Sequence, residues 1–312
     1  MRSYILLSVL CWSILCTVAQ TREPDFASNY LFSHITIEDG LPSNFIDDIY
    51  EDSQGFIWVS TNGGGLLRYD SHYFLNFNTN SALPLKSNYI RQVCEDNFNR
   101  LWIATERGTD VMDLLKNSMT DIVRYDSVGM TSQVINMIRK DSKGGIWAAS
   151  SNCIFNVTFL KDGQIRKIRS LKPRIPLTSS IGAIYEFENQ ILVGINNTIY
   201  KITADDYGQM VLSEFEPKLS HMECFAIKCM IAKDGELWIG TTDGLYRFNP
   251  FNNSIKTYFH DDGNSKSLTQ NMISDIKVMD NGSLVISTLH GINFYNPMTD
   301  DFNRICAGHN TL

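Results

Sequence analysis

An aromatic hairpin returns along this chain at nearly constant intervals, and that periodicity limits the available folds more than any other feature. In the first clear copy, Phe56–Thr61 reads as an apolar strand, Asn62–Gly65 as a turn and Leu66–Tyr69 as a second strand. Asn and Gly supply the positive φ angles that tight hairpins need. Asn99–Thr105, Gly144–Ser150 and Gly235–Thr241 repeat the tryptophan strand, while Gln190–Gly194 and Gly282–Thr288 repeat it without the tryptophan. With Trp58, Trp102, Trp147, Leu192, Trp238 and Leu284 as markers, the spacings are 44, 45, 45, 46 and 46 residues. One hairpin cannot hide both faces from water, so the copies must stack on one another.

Each copy carries more than a hairpin. Phe45–Tyr50 reads as a strand entering the first tryptophan strand, and Tyr73–Phe77 as a fourth strand leaving it. Tyr89–Cys94, Val134–Ile138, Ile181–Phe187, the stretch beginning near Phe225, and Met272–Ile276 open the later copies. Four short strands per ~45 residues define a β-propeller blade, and the 3.6-residue period of helical repeats is absent. The expected fold class is all-β, a propeller of six four-stranded blades over 31–312. The repeats run approximately 41–84, 85–129, 130–177, 178–220, 221–267 and 268–307. Residues 20–30 form a polar lead-in.

Residues 1–19 read differently. Arg2 precedes an apolar run from Tyr4 to Cys16, and Thr17-Val18-Ala19 supplies small residues for cleavage near Ala19-Gln20. This is the pattern of a secretory signal, too short for a span of ~20 apolar residues, and it implies a periplasmic or secreted product. The formal net charge of −7, without a Lys/Arg cluster, argues against nucleic acid as a partner. Cys94, Cys153, Cys224, Cys229 and Cys306 are scattered and outside metal-ligand spacing, which argues against a disulfide framework or a metal centre and leaves a single bridge open. No cofactor is expected.

Trp58, Trp102, Trp147 and Trp238 occupy one repeat position mid-strand and are expected to fill the wedge between blades rather than stack on sugars. The turn aspartates Asp52, Asp96, Asp141, Asp234 and Asp280 are each expected to bond their own turn's backbone N–H groups.

Leu41-Pro42-Ser43-Asn44 followed by Glu51–Thr61 and Gly65–Tyr69 resembles the two-component-regulator propeller repeat, and Lys233–Phe248 is a second close match; Ile181–Ile202 departs most. The resemblance covers nearly all of 31–305. It implies the periplasmic sensor region of a hybrid two-component histidine kinase from a glycan-degrading Gram-negative bacterium. A typical member has two seven-bladed propellers, a β-sandwich, one transmembrane helix, a kinase, a receiver and a DNA-binding domain, and its cue is usually an oligosaccharide. This chain matches only the start of that plan. Kinase activity would belong to a longer parent, and the partners implied are an oligosaccharide, the missing C-terminal sensor and kinase segments, or a homodimer partner.

Two further functions compete with such a sensor. A secreted propeller glycosidase or lyase needs two carboxylates at fixed separation, and Asp47-Asp48, Glu51-Asp52 and Asp261-Asp262 supply carboxylates. No HExxH or Gly-x-Ser-x-Gly motif is present, so no catalytic residue is assigned. A protein-interaction propeller is the third option. For a ligand-binding module, the loops between second and third strands share one face. The candidates there are Asn62, Glu106, Arg107, Asn152, Asn197, Asp243 and His290. Amides suit sugar hydroxyls, and Arg107 suits an acidic sugar.

Phe32–Ile37 precedes the first blade as a fourth strand precedes each later one. It is expected to be an orphan fourth strand of an incomplete seven-bladed ring, with the chain stopping three strands short of closure.

Overall fold

The structure is a computed structural model that describes residues 34–173, 180–206, 209–216, 219 and 224–306. Among them, 24 strands form six antiparallel sheets, each a meander of four strands in chain order. Blade one holds β1 (Ile46–Glu51), β2 (Ile57–Thr61), β3 (Leu66–Tyr69) and β4 (Phe74–Phe77). Blade two holds β5 (Ile90–Glu95), β6 (Arg100–Thr105), β7 (Gly108–Asp113) and β8 (Ser118–Met119). Blade three holds β9 (Met137–Lys140), β10 (Ile146–Ala149), β11 (Ile154–Phe159) and β12 (Ile165–Leu171). Blade four holds β13 (Ile181–Phe187), β14 (Gln190–Ile195), β15 (Thr198–Ala204) and β16 (Met210–Glu214). Blade five holds β17 (Ile227–Lys233), β18 (Glu236–Thr241), β19 (Gly244–Asn249) and β20 (Ser254–Tyr258). Blade six holds β21 (Ile273–Val278), β22 (Leu284–Thr288), β23 (Gly291–Asn296) and β24 (Asp301–Cys306). The leader and lead-in, with the cleavage position, lie outside the described residues, as do the last six. No described helix is long and apolar enough to cross a membrane.

One packing rule builds the propeller. Each blade turns its tryptophan face onto the aliphatic face of the next. Trp58 packs with Ile90, Val93, Leu101 and Ile103. Trp102 packs with Ile135, Ile138, Ile146 and Ala148. Trp147 packs with Ile181, Ile184, Val193 and Ile195. Leu192 takes the same place against Ile227, Met230, Leu237 and Ile239, and Trp238 against Ile273, Ile276, Leu284 and Ile286. The strand registers correct one marker. Lys277 pairs with Val285 as Tyr50 pairs with Trp58, so Val285 stands at the sixth tryptophan position. Leu284 lies one residue away, on the aliphatic face, because a one-residue step along a strand changes face.

The turn aspartates divide into two groups. Asp52, Asp96 and Asp141 each accept two backbone N–H groups of their own turn and, with the other oxygen, the indole N–H six residues on, at 2.8, 2.8 and 2.7 Å. Asp234 does not: blade five closes its first hairpin with Asp234-Gly235 alone, at φ 53 and 77, leaving the aspartate exposed beside Lys233. In blade six Met279, not Asp280, holds the corresponding place, its N–H bonding Ser283 O as Asp52 N–H bonds Phe56 O.

The orphan strand is also corrected. Over its described residues, 34–36 are irregular and Ile37–Asp39 is a 3-10 turn; Phe32 and Ser33 fall outside the described residues. Thr36 and Asp39 form a capping box, and Gly40 closes the turn at φ 107. The Ile35/Ile37 alternation suggested a strand, but the Thr and Asp side chains offer the backbone a local alternative to a ladder.

Side-chain ties reinforce consecutive blades. Asp48 accepts from Val93 N–H, and Gln92 Oε1 from Ile138 N–H. Ser142 donates twice to Glu186, and the Tyr185 hydroxyl accepts from Ala232 N–H. Arg247 donates to the Tyr295 hydroxyl, and Lys256 pairs with Asp300. No comparable tie joins blades six and one among the described residues. Ile49 marks that seam: its register equivalents Val93, Ile138, Ile184, Met230 and Ile276 are all at most 4% exposed, whereas Ile49 is 59% exposed.

Candidate functional site

The innermost strands β1, β5, β9, β13, β17 and β21 each neighbour the next in that order around the axis. Five of them slip register at the same place, between Ile46/Asp48, Ile90/Gln92, Ile181/Ala183, Ile227/Cys229 and Ile273/Asp275. Each slip is a β-bulge, which leaves one residue outside the ladder and re-aims its side chain. The bulged residues are Asp47, Arg91, Gly182, Lys228 and Ser274. Polar groups thereby reach the axis from strands whose other faces are apolar.

Two cavities result. One, of about 400 Å³, is lined by Asp47, Arg91, Asn136 and Lys228 among others and opens at the starts of the innermost strands. Because Ile46 pairs with Thr61, that end is also the face of the β2–β3 type turns. The other, of about 380 Å³, is lined by Asp48, Tyr50, Tyr185, Glu186 and Lys277 among others toward the opposite face. Gln92, Arg139 and Ile184 line both, so they form the waist of an axial channel.

The channel is strongly charged. Arg91 bridges Asp47 at 3.0 Å and Glu106 at 2.5 Å. Burial raises the Asp48 carboxyl to about 6, against the pull of Lys277, the Val93 N–H and Arg139. Burial likewise pushes the thiols of Cys94 and Cys229 well up, so these two behave as inert apolar groups. All five described cysteines are free.

The seven residues expected at the ligand face all fall in the turn between the second and third strands of their blades. The turns are built alike. Thr61, Thr105, Thr241 and Thr288 end the second strands and Ser150 directly follows one, and their hydroxyls donate to the carbonyls of Gly65, Gly108, Gly244, Gly291 and Cys153. Gly108 sits at φ 112, and a Cβ there would meet Thr131 O at 2.1 Å. Glu106 and Arg107 share a cleft of about 380 Å³ with Lys86 and Tyr89. Glu106 is committed to Arg91, while the Arg107 side chain is exposed. Asn62, Asn152, Asn197, Asp243 and His290 stand one to a blade.

Of the six paired carboxylates, Asp48 lines the channel and Glu51 is exposed, while the other four are engaged. Asp47 holds Arg91, Asp52 holds Trp58, Asp261 accepts from Gly263 N–H and Asp262 faces His260. No group of described His, Cys, Asp or Glu residues could hold a metal ion. Arg91, Gln92, Arg139, Lys228 and Lys277 were not anticipated as site residues; the signal available was a polar side chain on each of several otherwise apolar first strands.

Six four-stranded blades around a polar channel define a β-propeller. Residues 40–63 and 84–107 match the family model described as a two component regulator propeller, so the chain carries that repeat in its first two blades. No curated protein matches the sequence. Among solved structures, the chain is similar to the extracellular domain of the putative hybrid two component system BT3049 from B. thetaiotaomicron. The identity there is 22% and the TM-score 0.70, covering 90% of this chain and 37% of that one. It is also similar to the extracellular domain of the putative one component system BT4673 from the same organism, at 16% identity and TM-score 0.54, covering 84% and 38%. PorZ, a surface component of the type-IX secretion system of Porphyromonas gingivalis, matches at 15% identity and TM-score 0.58, covering 78% and 37%. The chain therefore spans less than two fifths of each of these structures.

Proposed function

We propose that this chain is the ligand-sensing propeller of a periplasmic or extracellular receptor in a two-component type signalling system, responding to an oligosaccharide. The regulator-propeller repeat in the first two blades carries the reading. The face of repeated turns supports it, presenting Asn62, Arg107, Asn152 and Asn197 around the channel mouth, with side chains suited to sugar hydroxyls and acidic groups. Because the chain spans less than two fifths of the sensors it resembles, the remaining sensor segments, a kinase or a homodimer partner are taken to complete the receptor, and no kinase chemistry is assigned to these residues.

A non-enzymatic role fits the engagement of Asp47, Asp52, Asp261 and Asp262 in structural bonds. One observation favours the glycosidase: Asp48, raised to about 6 by burial, has the character of a general acid. Glycan-array binding of the purified chain, followed by a turnover assay on the retained glycans, separates the readings. Retention without cleavage is expected; cleavage of a retained glycan would replace the sensor with an enzyme.

A further inference from the structure

We propose that the axial channel binds a small carboxylate, held at the waist by the Arg139 guanidinium. Arg139 lies on β9 and lines both cavities. Its charge acts on groups of three other blades, Asp48 on β1, Cys94 on β5 and Cys229 on β17. It is half-buried, and its guanidinium makes no hydrogen bond or ion pair to another described residue. A guanidinium presents five donors in a planar fork that matches a carboxylate in bidentate fashion.

The surroundings have donors to spare and few free acceptors. Gln92 spends its Oε1 on Ile138 N–H, leaving its amide N–H groups to donate. The hydroxyls of Tyr50 and Tyr185 accept from Glu95 and Ala232 N–H groups, so each O–H can still donate. Lys277 lines the lower cavity and Lys228 the upper. On the acceptor side, Asp47 is held by Arg91, Asp141 by two turn N–H groups and Trp147, Glu186 by Ser142, and Asp275 by Lys277. Asp48, Asp141 and Glu186 bring three carboxylates to the cavity of Lys277, against Arg139, Lys140 and Lys277, whereas the cavity of Lys228 sets Asp47 alone against Arg91, Arg139 and Lys228 and is therefore the side that favours an anion. Cavities of about 380 and 400 Å³ fall within the ~300–1,000 Å³ of small-molecule sites. The carboxylate could come from a sugar acid or a simple organic acid, and the site stands independently of the oligosaccharide reading.

The test is calorimetric titration of the full chain with glucuronate, succinate and glucose at constant ionic strength. At least one of the two carboxylates should bind, more tightly than glucose; which one binds better identifies the source. Arg139→Gln should weaken binding by about tenfold or more, and exposed Lys116→Gln on blade two should leave it unchanged. If Arg139→Gln does not melt cooperatively, Lys228→Gln takes its place and should weaken binding by about threefold or more. The proposal is overturned if neither carboxylate binds, if glucose binds as tightly, or if the informative variant matches the wild type.

Discussion

The aspartate that caps an indole is the smallest unit from which this fold is explained. Asp96 satisfies two backbone N–H groups, the Trp102 indole and the Arg100 guanidinium at once. Removing it strands several buried donors, at ~1–3 kcal/mol for each neutral group and more for a charge. Asp96→Ala should therefore lower stability by several kcal/mol in urea unfolding, while Asp234→Asn, which keeps a residue tolerant of φ 53 in an exposed turn, should stay within about 0.5 kcal/mol. Equal losses would contradict the division between the two groups. The turn role of these aspartates was legible from their spacing, but the indole bond was not, since it depends on a side chain six residues away turning back toward the carboxylate. Asp48 gives a pH-dependent counterpart. Its folded pKa of about 6 lies above the ordinary 3.8, so the folded chain holds the proton longer than the unfolded chain. Its stabilising contribution is present below about 4, falls as pH rises, and is gone above about 6. Asp48→Asn keeps an acceptor for Val93 N–H and should raise the Tm at pH 7 but not at pH 4. A gain independent of pH would show that charge is not the cause.

At the scale of strands and blades, side chains buried by the next blade are distinguished from those that are not. Ile138→Ala removes a residue 1% exposed between blades two and three and should cost ~2–5 kcal/mol. Ile49→Ala, at the same register position but 59% exposed, should cost less than about 1 kcal/mol. Chemical denaturation of the two variants measures the difference directly, and a large Ile49 loss would mean that its face is covered in solution. The tryptophan strands, their count and their order were readable because period-2 alternation and a ~45-residue repeat both survive in single copies. The blade-six marker slipped by one because Leu284-Val285-Ile286 is apolar at every position and carries no alternation to assign faces. The bulges were hidden for a related reason: an extra residue at the start of a strand changes no residue type. Yet they bring Arg91 and Lys228 to the channel, and so they decide where the site is.

For the whole molecule, the sequence supplied the ring's blade count and the face of the repeated turns, but not the channel, which exists only when innermost strands from several blades meet. Nor did it show that Glu106 is tied to Arg91 while its neighbour Arg107 remains exposed. The functional claim rests on that face meeting an external ligand. Titration of the full chain with an oligosaccharide retained on a glycan array, beside Arg107→Ala combined with Asn152→Ala, tests it most directly. Saturable binding by the wild type is expected, weakened about tenfold or more in the double variant at an unchanged Tm. Unaltered binding by the double variant, or no binding of any oligosaccharide by the folded wild type, would contradict it.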